Sequence, residues 1–215
     1  MAKKKQKKIL VTSPQGVAVY PWIQKPDFEY KAGGEYHVKL RLDSSAAEGF
    51  IAELTGHFDA LYEAECTKQG KKQLKVTDDG RPWANATDRD TDEELDDIEF
   101  SFKRKHKVEP KGRKPFILPP PVIVDSQGNP VNEPVYGGSE IRVRSEIVPW
   151  YTPKFGFGIQ LRMTAIQVLK LVSSGGEDYS EVFGKSDGFV SSGVNSSEED
   201  TGDEEDAGEG DEFDI

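Results

Sequence analysis

The chain has 215 residues, 39 acids against 28 bases, and a formal net charge of −11. That length suits one domain of ordinary size plus a tail. The lone Cys66 excludes a disulfide framework and fits a reducing compartment, and no apolar run approaches the roughly 20 residues that span a bilayer.

The charge is unevenly placed. From Ser174 to Ile215 there are 15 acids and one base, Lys185, a net of −14. Removing these from the totals leaves 24 acids and 27 bases in residues 1–173, a net of +3. A mildly basic body, 1–173, thus carries a strongly acidic tail, 174–215. From Ser196 onward the tail is almost devoid of apolar residues until Phe213. Such a segment buries too little surface to offset the entropy of ordering, so it is expected to be disordered. A basic body on an acidic protein points to an anionic partner whose place the tail could take.

Lys3, Lys4, Lys5, Lys7 and Lys8 form either a solubilising terminus or a mobile arm that contacts phosphate. Ile9 to Val11 is too short for a signal h-region, so no secretory signal is read here. Ile9 to Ser13 predicts a short strand stopped by Pro14 and Gly16. In Tyr20 to Asp27 two prolines bar a helix and favour extended backbone. After Gly33-Gly34, Tyr36, Val38, Leu40 and Leu42 alternate with His37, Lys39 and Arg41, so one face packs and the other meets solvent or a ligand.

Ser45-Ala-Ala-Glu48 has capping-box spacing. The stripe Ala47, Phe50, Ile51, Leu54, Phe58, Leu61 and Tyr62 predicts an amphipathic helix of about five or six turns ending near Gly70. Lys71 to Asp97 reads as a polar, irregular stretch. Strands are predicted at Asp97 to Val108 and Val122 to Val124, with a turn at Asp125 to Pro130. Another strand follows Gly137-Gly138, and Pro149 to Pro153 reads as an aromatic turn. Phe155, Phe157, Ile159, Leu161 and Met163 form the apolar face of a last strand. Its phase shifts at Ala165-Ile166, which predicts a β-bulge. About five alternating strands and one early helix suit a small closed barrel, with an OB-fold, a five-stranded Greek-key barrel, as the leading candidate.

The chain lacks CxxC, HExxH, P-loop and GxSxG signatures, and no cofactor is implied. His37, His57 and His106 are scattered. The acids between Asp88 and Asp97 superficially resemble a calcium loop, but Glu93 stands where the loop needs glycine. A hydrated loop is the default there, and a metal-dependent nuclease built on 88–97 is the enzymatic alternative. Binding chemistry is better represented. Single strands are held by a cationic groove and by flat rings on which bases stack, whatever the base. Candidates are Tyr20, Trp22 and Lys25; Lys39 and Arg41; Lys103 and Lys105; Arg142 and Arg144; and Trp150, Tyr151 and Lys154. Phe100, Phe102, Phe155 and Phe157 read as core because they alternate in step with aliphatics. Trp22, Trp150 and Tyr151 lie beside prolines, where exposure and burial are both open.

Three blocks carry a resemblance: Tyr20-Pro-Trp-Ile-Gln-Lys-Pro-Asp27, Val122-Ile-Val-Asp-Ser-Gln-Gly128 with Gly137-Gly-Ser139, and Ile147-Val-Pro149. With the Gly175-Gly-Glu-Asp178 junction and an acidic tail bearing a near-terminal aromatic, the chain resembles the single-stranded DNA-binding proteins of short-tailed, T-seven-like bacteriophages. The resemblance implies an OB-fold with a helix between early strands. It also implies DNA coating in phage replication, recombination and repair, in the host bacterial cytoplasm. Barrel cations, here Arg41, and aromatics after the Val-Pro turn, here Trp150 or Tyr151, would meet DNA. The tail would compete with DNA and contact replication proteins such as DNA polymerase and helicase-primase through Asp211, Glu212, Phe213, Asp214 and Ile215. The chain departs in placing Trp150 and Tyr151 side by side, and in following Phe213 with two more residues. No membrane partner is expected, and a homodimer stays open. A third class of reading takes the chain as an acidic interaction or mimic protein whose active part is the tail.

Overall fold

The computed structural model describes residues 8–88, 91–110 and 112–172, apart from the side chain of Asp78. Expectations for the N-terminal lysines 3–7 and for the tail from 173 onward lie outside the described residues.

Among the described residues, ten strands and one helix follow in order: β1 Ile9–Thr12, β2 Gly16–Asp27, β3 Glu35–Leu42, α1 Ser44–Gln69, β4 Trp83–Thr87, β5 Glu94–Lys105, β6 Lys107–Val108, β7 Phe116–Ile117, β8 Val122–Val124, β9 Glu140–Thr152 and β10 Gly156–Lys170, with a 3-10 turn at Asp78–Gly80. Five of the strands form a closed circuit. β2 pairs antiparallel with β3, and β3 with β5. β5 runs parallel to β10, β10 antiparallel to β9, and β9 antiparallel to β2. This is the pairing of an OB-fold barrel, as expected, with α1 inserted between the second and third barrel strands. β1 adds to β9, β8 to β10 and β4 to β5.

Period two sorts the side chains. Tyr36, Val38, Leu40 and Leu42 of β3, and Phe100 and Phe102 of β5, are buried in one core with Ile141, Val143, Phe157, Ile159, Leu161 and Met163. Along β10 the register slips between Met163 and Ala165, where the bulge is predicted. The stripe of α1 buries Ala47, Phe50, Leu54 and Phe58, and reaches about two turns further to Cys66. Phe50 meets Phe100 at 5.1 Å between ring centres, and Phe58 meets Phe157 at 5.2 Å edge-on.

The structure corrects four local expectations. The helix cap is Asp43, whose carboxylate accepts from Ala46 N–H, rather than Ser45. An aspartate on the last extended residue caps directly, and its 26-residue helix runs about seven turns before Gly70 closes it in a left-handed conformation. The irregular stretch after the helix contains the 3-10 turn and β4. The aromatic turn at Pro149 is strand: among the described residues, β9 beyond Ile147 pairs with β10 alone, so the missing proline N–H interrupts no second ladder there. Phe155 leaves the core, because the hairpin turn falls at 153–155 and β10 begins only at Gly156.

Candidate nucleic-acid interface

The residues between the buried ones on β3 and β5 point outward, and register lines them up across strands. Arg41 stands opposite Glu99, Lys39 opposite Ser101, and His37 opposite Lys103. On the far side of β5, Lys103 is level with Arg162 of β10. On the far side of β3, Val17, Val19 and Trp22 of β2 are level with Arg41, Lys39 and His37.

Two clefts on this face share Lys31, Glu35, Ser101 and Lys103, and so form one groove. One end holds Tyr30, His37 and Lys39. The other holds Arg81, Lys105, Gln160 and Trp150. Trp150 is opposite Gly158 in the β9–β10 ladder. A Cβ on Gly158 would come within 2.4 Å of the indole and 2.6 Å of the Gly80 Cα. The ring therefore sits against bare backbone, held by the absence of a side chain, and is half-buried in the groove wall.

The groove's cations are not equally free. Lys39 Nζ lies 2.8 Å and Arg41 Nη2 2.7 Å from the two oxygens of Glu99, which is buried. Burial pushes the Glu99 carboxyl up, but the hydrogen bonds and charges of Lys39 and Arg41 outweigh it and hold it below the usual range. The trio keeps one net positive charge, and its two long side chains are fixed in direction. Arg162 and Lys8 share Glu146 in the same way. His37 Nε2 lies 3.1 Å from Asp27, whose pKa is lowered by the Glu29 N–H first and by His37 second. Lys103 and Lys105 form no ion pair among the described residues.

β2 carries one extra residue between Val19 and Trp22 relative to β3, a bulge at Tyr20-Pro21. Tyr20 adopts φ 48° there. The bulge turns Ile23 inward, to 1% exposure, and leaves Trp22 outward at 46%. Tyr20, Trp22 and Arg41 line an adjoining cleft with Tyr136, and Lys25 lines its continuation beside Trp22. Trp22 is thus exposed and joined to the cationic face by the Arg41 and His37 registers.

Other candidates fall elsewhere. Tyr151 is half-buried and packs on the core. Lys154 is exposed on the β9–β10 hairpin, its Nζ 5.1 Å from the Phe155 ring centre. Arg142 and Arg144 are exposed on β9 but line none of these clefts. Arg144, opposite Thr12, is six residues before Trp150, about 20 Å along the strand. Among the described residues, no three or more His, Cys, Asp or Glu side chains are gathered as metal ligands, the described acids of 88–97 included. The tail residues Asp211 to Ile215 lie outside the described residues.

Sequence reasoning missed Tyr30, 83% exposed, Lys31, Arg81 and Phe155, 54% exposed. Tyr30-Lys31 repeats the ring-beside-lysine pattern just before Gly33-Gly34, a signal that was available. Arg81 had none: it reaches the groove only because its turn packs on β10, where its guanidinium sits 5.2 Å from the Phe58 ring centre.

The fold and face together define an OB-fold barrel with a cationic, ring-bearing outer groove, and this is the fold of bacteriophage single-stranded DNA-binding proteins. No protein-family model matches the chain, and no curated protein does. Among solved structures it is similar to gp2.5, a single-stranded DNA-binding protein encoded by bacteriophage T7, at 22% identity and TM-score 0.62, over 86% of this chain and 100% of that one. It is also similar to the single-stranded DNA-binding protein from bacteriophage Enc34, at 15% identity and TM-score 0.53, over 85% of this chain and 97% of that one. The Enc34 protein in complex with single-stranded DNA aligns at 17% identity and TM-score 0.53, over 81% of this chain and 97% of that one.

Proposed function

We propose that this chain is a bacteriophage single-stranded DNA-binding protein that coats DNA without sequence preference. The observation that carries the reading is the outer groove, where the unpaired Lys103 and Lys105 lie beside the ring of Trp150. Lysines track phosphates and the ring accepts any base face, which is how a protein binds a strand regardless of sequence. Glu99 supports this role by aiming Lys39 and Arg41 while cancelling half of their charge. Tyr30 and Trp22 extend the rings toward β2.

The acidic tail, 174–215, competes with DNA for the groove and recruits replication proteins such as DNA polymerase and helicase-primase, with Phe213 as the anchoring side chain. Support comes from the opposite charges of body and tail, +3 and −14. Replication, recombination and repair of phage DNA in the host cytoplasm are the settings this implies.

The test is a salt titration of tryptophan fluorescence with oligo-dT, using the full chain and a chain lacking 196–215. Binding should weaken steeply with salt, because each phosphate contact releases counterions. The shortened chain should bind tighter, most visibly at low salt. Absent or salt-independent binding would overturn the DNA reading, and equal or weaker binding by the shortened chain would overturn the competition.

A further inference from the structure

A second cationic surface lies beyond Trp150. Residues 71–76, which follow α1, run along the β9–β10 hairpin. Phe157 N–H donates to the Lys75 carbonyl at 2.8 Å, and Val76 pairs in parallel with Phe157. Tyr62 Oη donates to the Leu74 carbonyl at 3.0 Å and accepts from Leu74 N–H at 2.9 Å. A Cβ on Gly156 would meet the Lys75 carbonyl oxygen at 2.2 Å, so backbone lies directly on backbone. Leu74 is buried, while Lys71, Lys72 and Lys75 on either side of it are exposed. The segment is therefore a fixed ledge that displays three lysines.

None of these lysines, nor Lys154 on the hairpin beside them, makes an ion pair among the described residues. In the groove, by comparison, Lys31 and Lys39 are paired to carboxylates while Lys103 and Lys105 are not. The ledge is continuous with the groove through Trp150. That ring lines both the groove and a cleft with Tyr151, Pro149 and the Lys68–Glu65 ion pair. Lys71 Nζ reaches the Tyr151 hydroxyl at 3.4 Å. Exposed Phe155 lies under Lys154 at the hairpin tip.

We infer that a bound single strand passes over Trp150 and continues onto this ledge, where Lys71, Lys72 and Lys75 hold the phosphates of a second, outer segment. The inference rests on the proposed DNA reading. It makes the site bipartite: a groove in which Lys31 and Lys39 are paired and aimed beside the unpaired Lys103 and Lys105, then a ledge with three lysines and no ion pair among the described residues. An acidic peptide could use the same charges, but the ledge continues the groove through Trp150, which suits one uninterrupted strand.

The experiment compares the full chain with a Lys71→Ala, Lys72→Ala, Lys75→Ala variant on oligo-dT of about 6 and about 16 nucleotides, spanning the range of site sizes of one OB-fold. The short strand should bind both proteins alike. The long strand should lose on the order of tenfold in affinity at low salt, and its log–log salt slope should fall by about 2, or ~0.7 for each lost contact to single-stranded DNA. A single Lys72→Glu substitution should reproduce the length-dependent loss. Unchanged long-strand binding, or an equal loss on both lengths, would overturn the ledge. An unchanged long strand together with weakened capture of an acidic peptide would assign the ledge to protein partners. If the unaltered chain binds neither oligonucleotide, the DNA reading itself fails, which is a separate result.

Discussion

The inner and outer faces of β3 and β5 belong to the same sixteen or so angstroms of strand, yet they are built by opposite rules. Inside, Tyr36, Val38, Leu40, Phe100 and Phe102 are all buried and shape one core. Outside, His37, Lys39, Ser101 and Lys103 line a groove, and the buried acid Glu99 beside it is held between Lys39 and Arg41. The lesson is that a pleated strand separates stability from binding residue by residue, so a substitution should affect one and spare its neighbour.

The largest expected effect breaks the inner face. Phe102→Ala removes a fully buried ring and should cost about 3–5 kcal/mol of stability, measured by urea unfolding. Lys103→Ala, the next residue, should leave the unfolding midpoint nearly unchanged. On the outer face, Trp150→Ala should cost about 1–3 kcal/mol of oligo-dT binding, the worth of one stacked base. Lys103→Ala with Lys105→Ala should lower the salt slope by about 1.4, while Arg142→Ala with Arg144→Ala, remote from the groove, should not move it. Glu99→Gln sharpens the comparison further. It removes the acid between Lys39 and Arg41 and should tighten binding a few-fold at low salt, read by the same titration. The smallest effect is on pH. The folded pKa values of Glu99, Glu146 and Asp27 are lowered, so their contribution is complete above the usual carboxylate range, about 4. It is lost as pH falls through the lowered values. Glu99→Gln should flatten that part of an acid-unfolding curve.

Much of this was legible in the sequence, for physical reasons. Alternation on β3, β5 and β10 separates core from surface because side chains on a strand repeat every two residues. The helix was legible because its apolar stripe repeats at helical spacing, although Ser45 to Glu48 mimics a cap two residues past the true one. What was not legible depends on register. Glu99 meets Lys39 and Arg41 only because β3 and β5 pair across the whole length of α1, and no local pattern encodes that alignment. Trp22 faces out because of one extra residue at Tyr20-Pro21. Phe155 mimics a core position by keeping phase with Phe157, but the hairpin ends one residue before the strand begins. The lysines at 71–75 read as a polar loop until backbone pairing places them beside Trp150.

The central claim is that the outer groove is where single-stranded DNA lies. A chain carrying Trp22→Phe and Trp83→Phe retains Trp150 as its only tryptophan. Titrated with oligo-dT at low salt, its fluorescence should be quenched in proportion to binding and recover as salt is raised. Full binding, seen independently by mobility shift, with no change in Trp150 emission would contradict the placement of DNA in this groove.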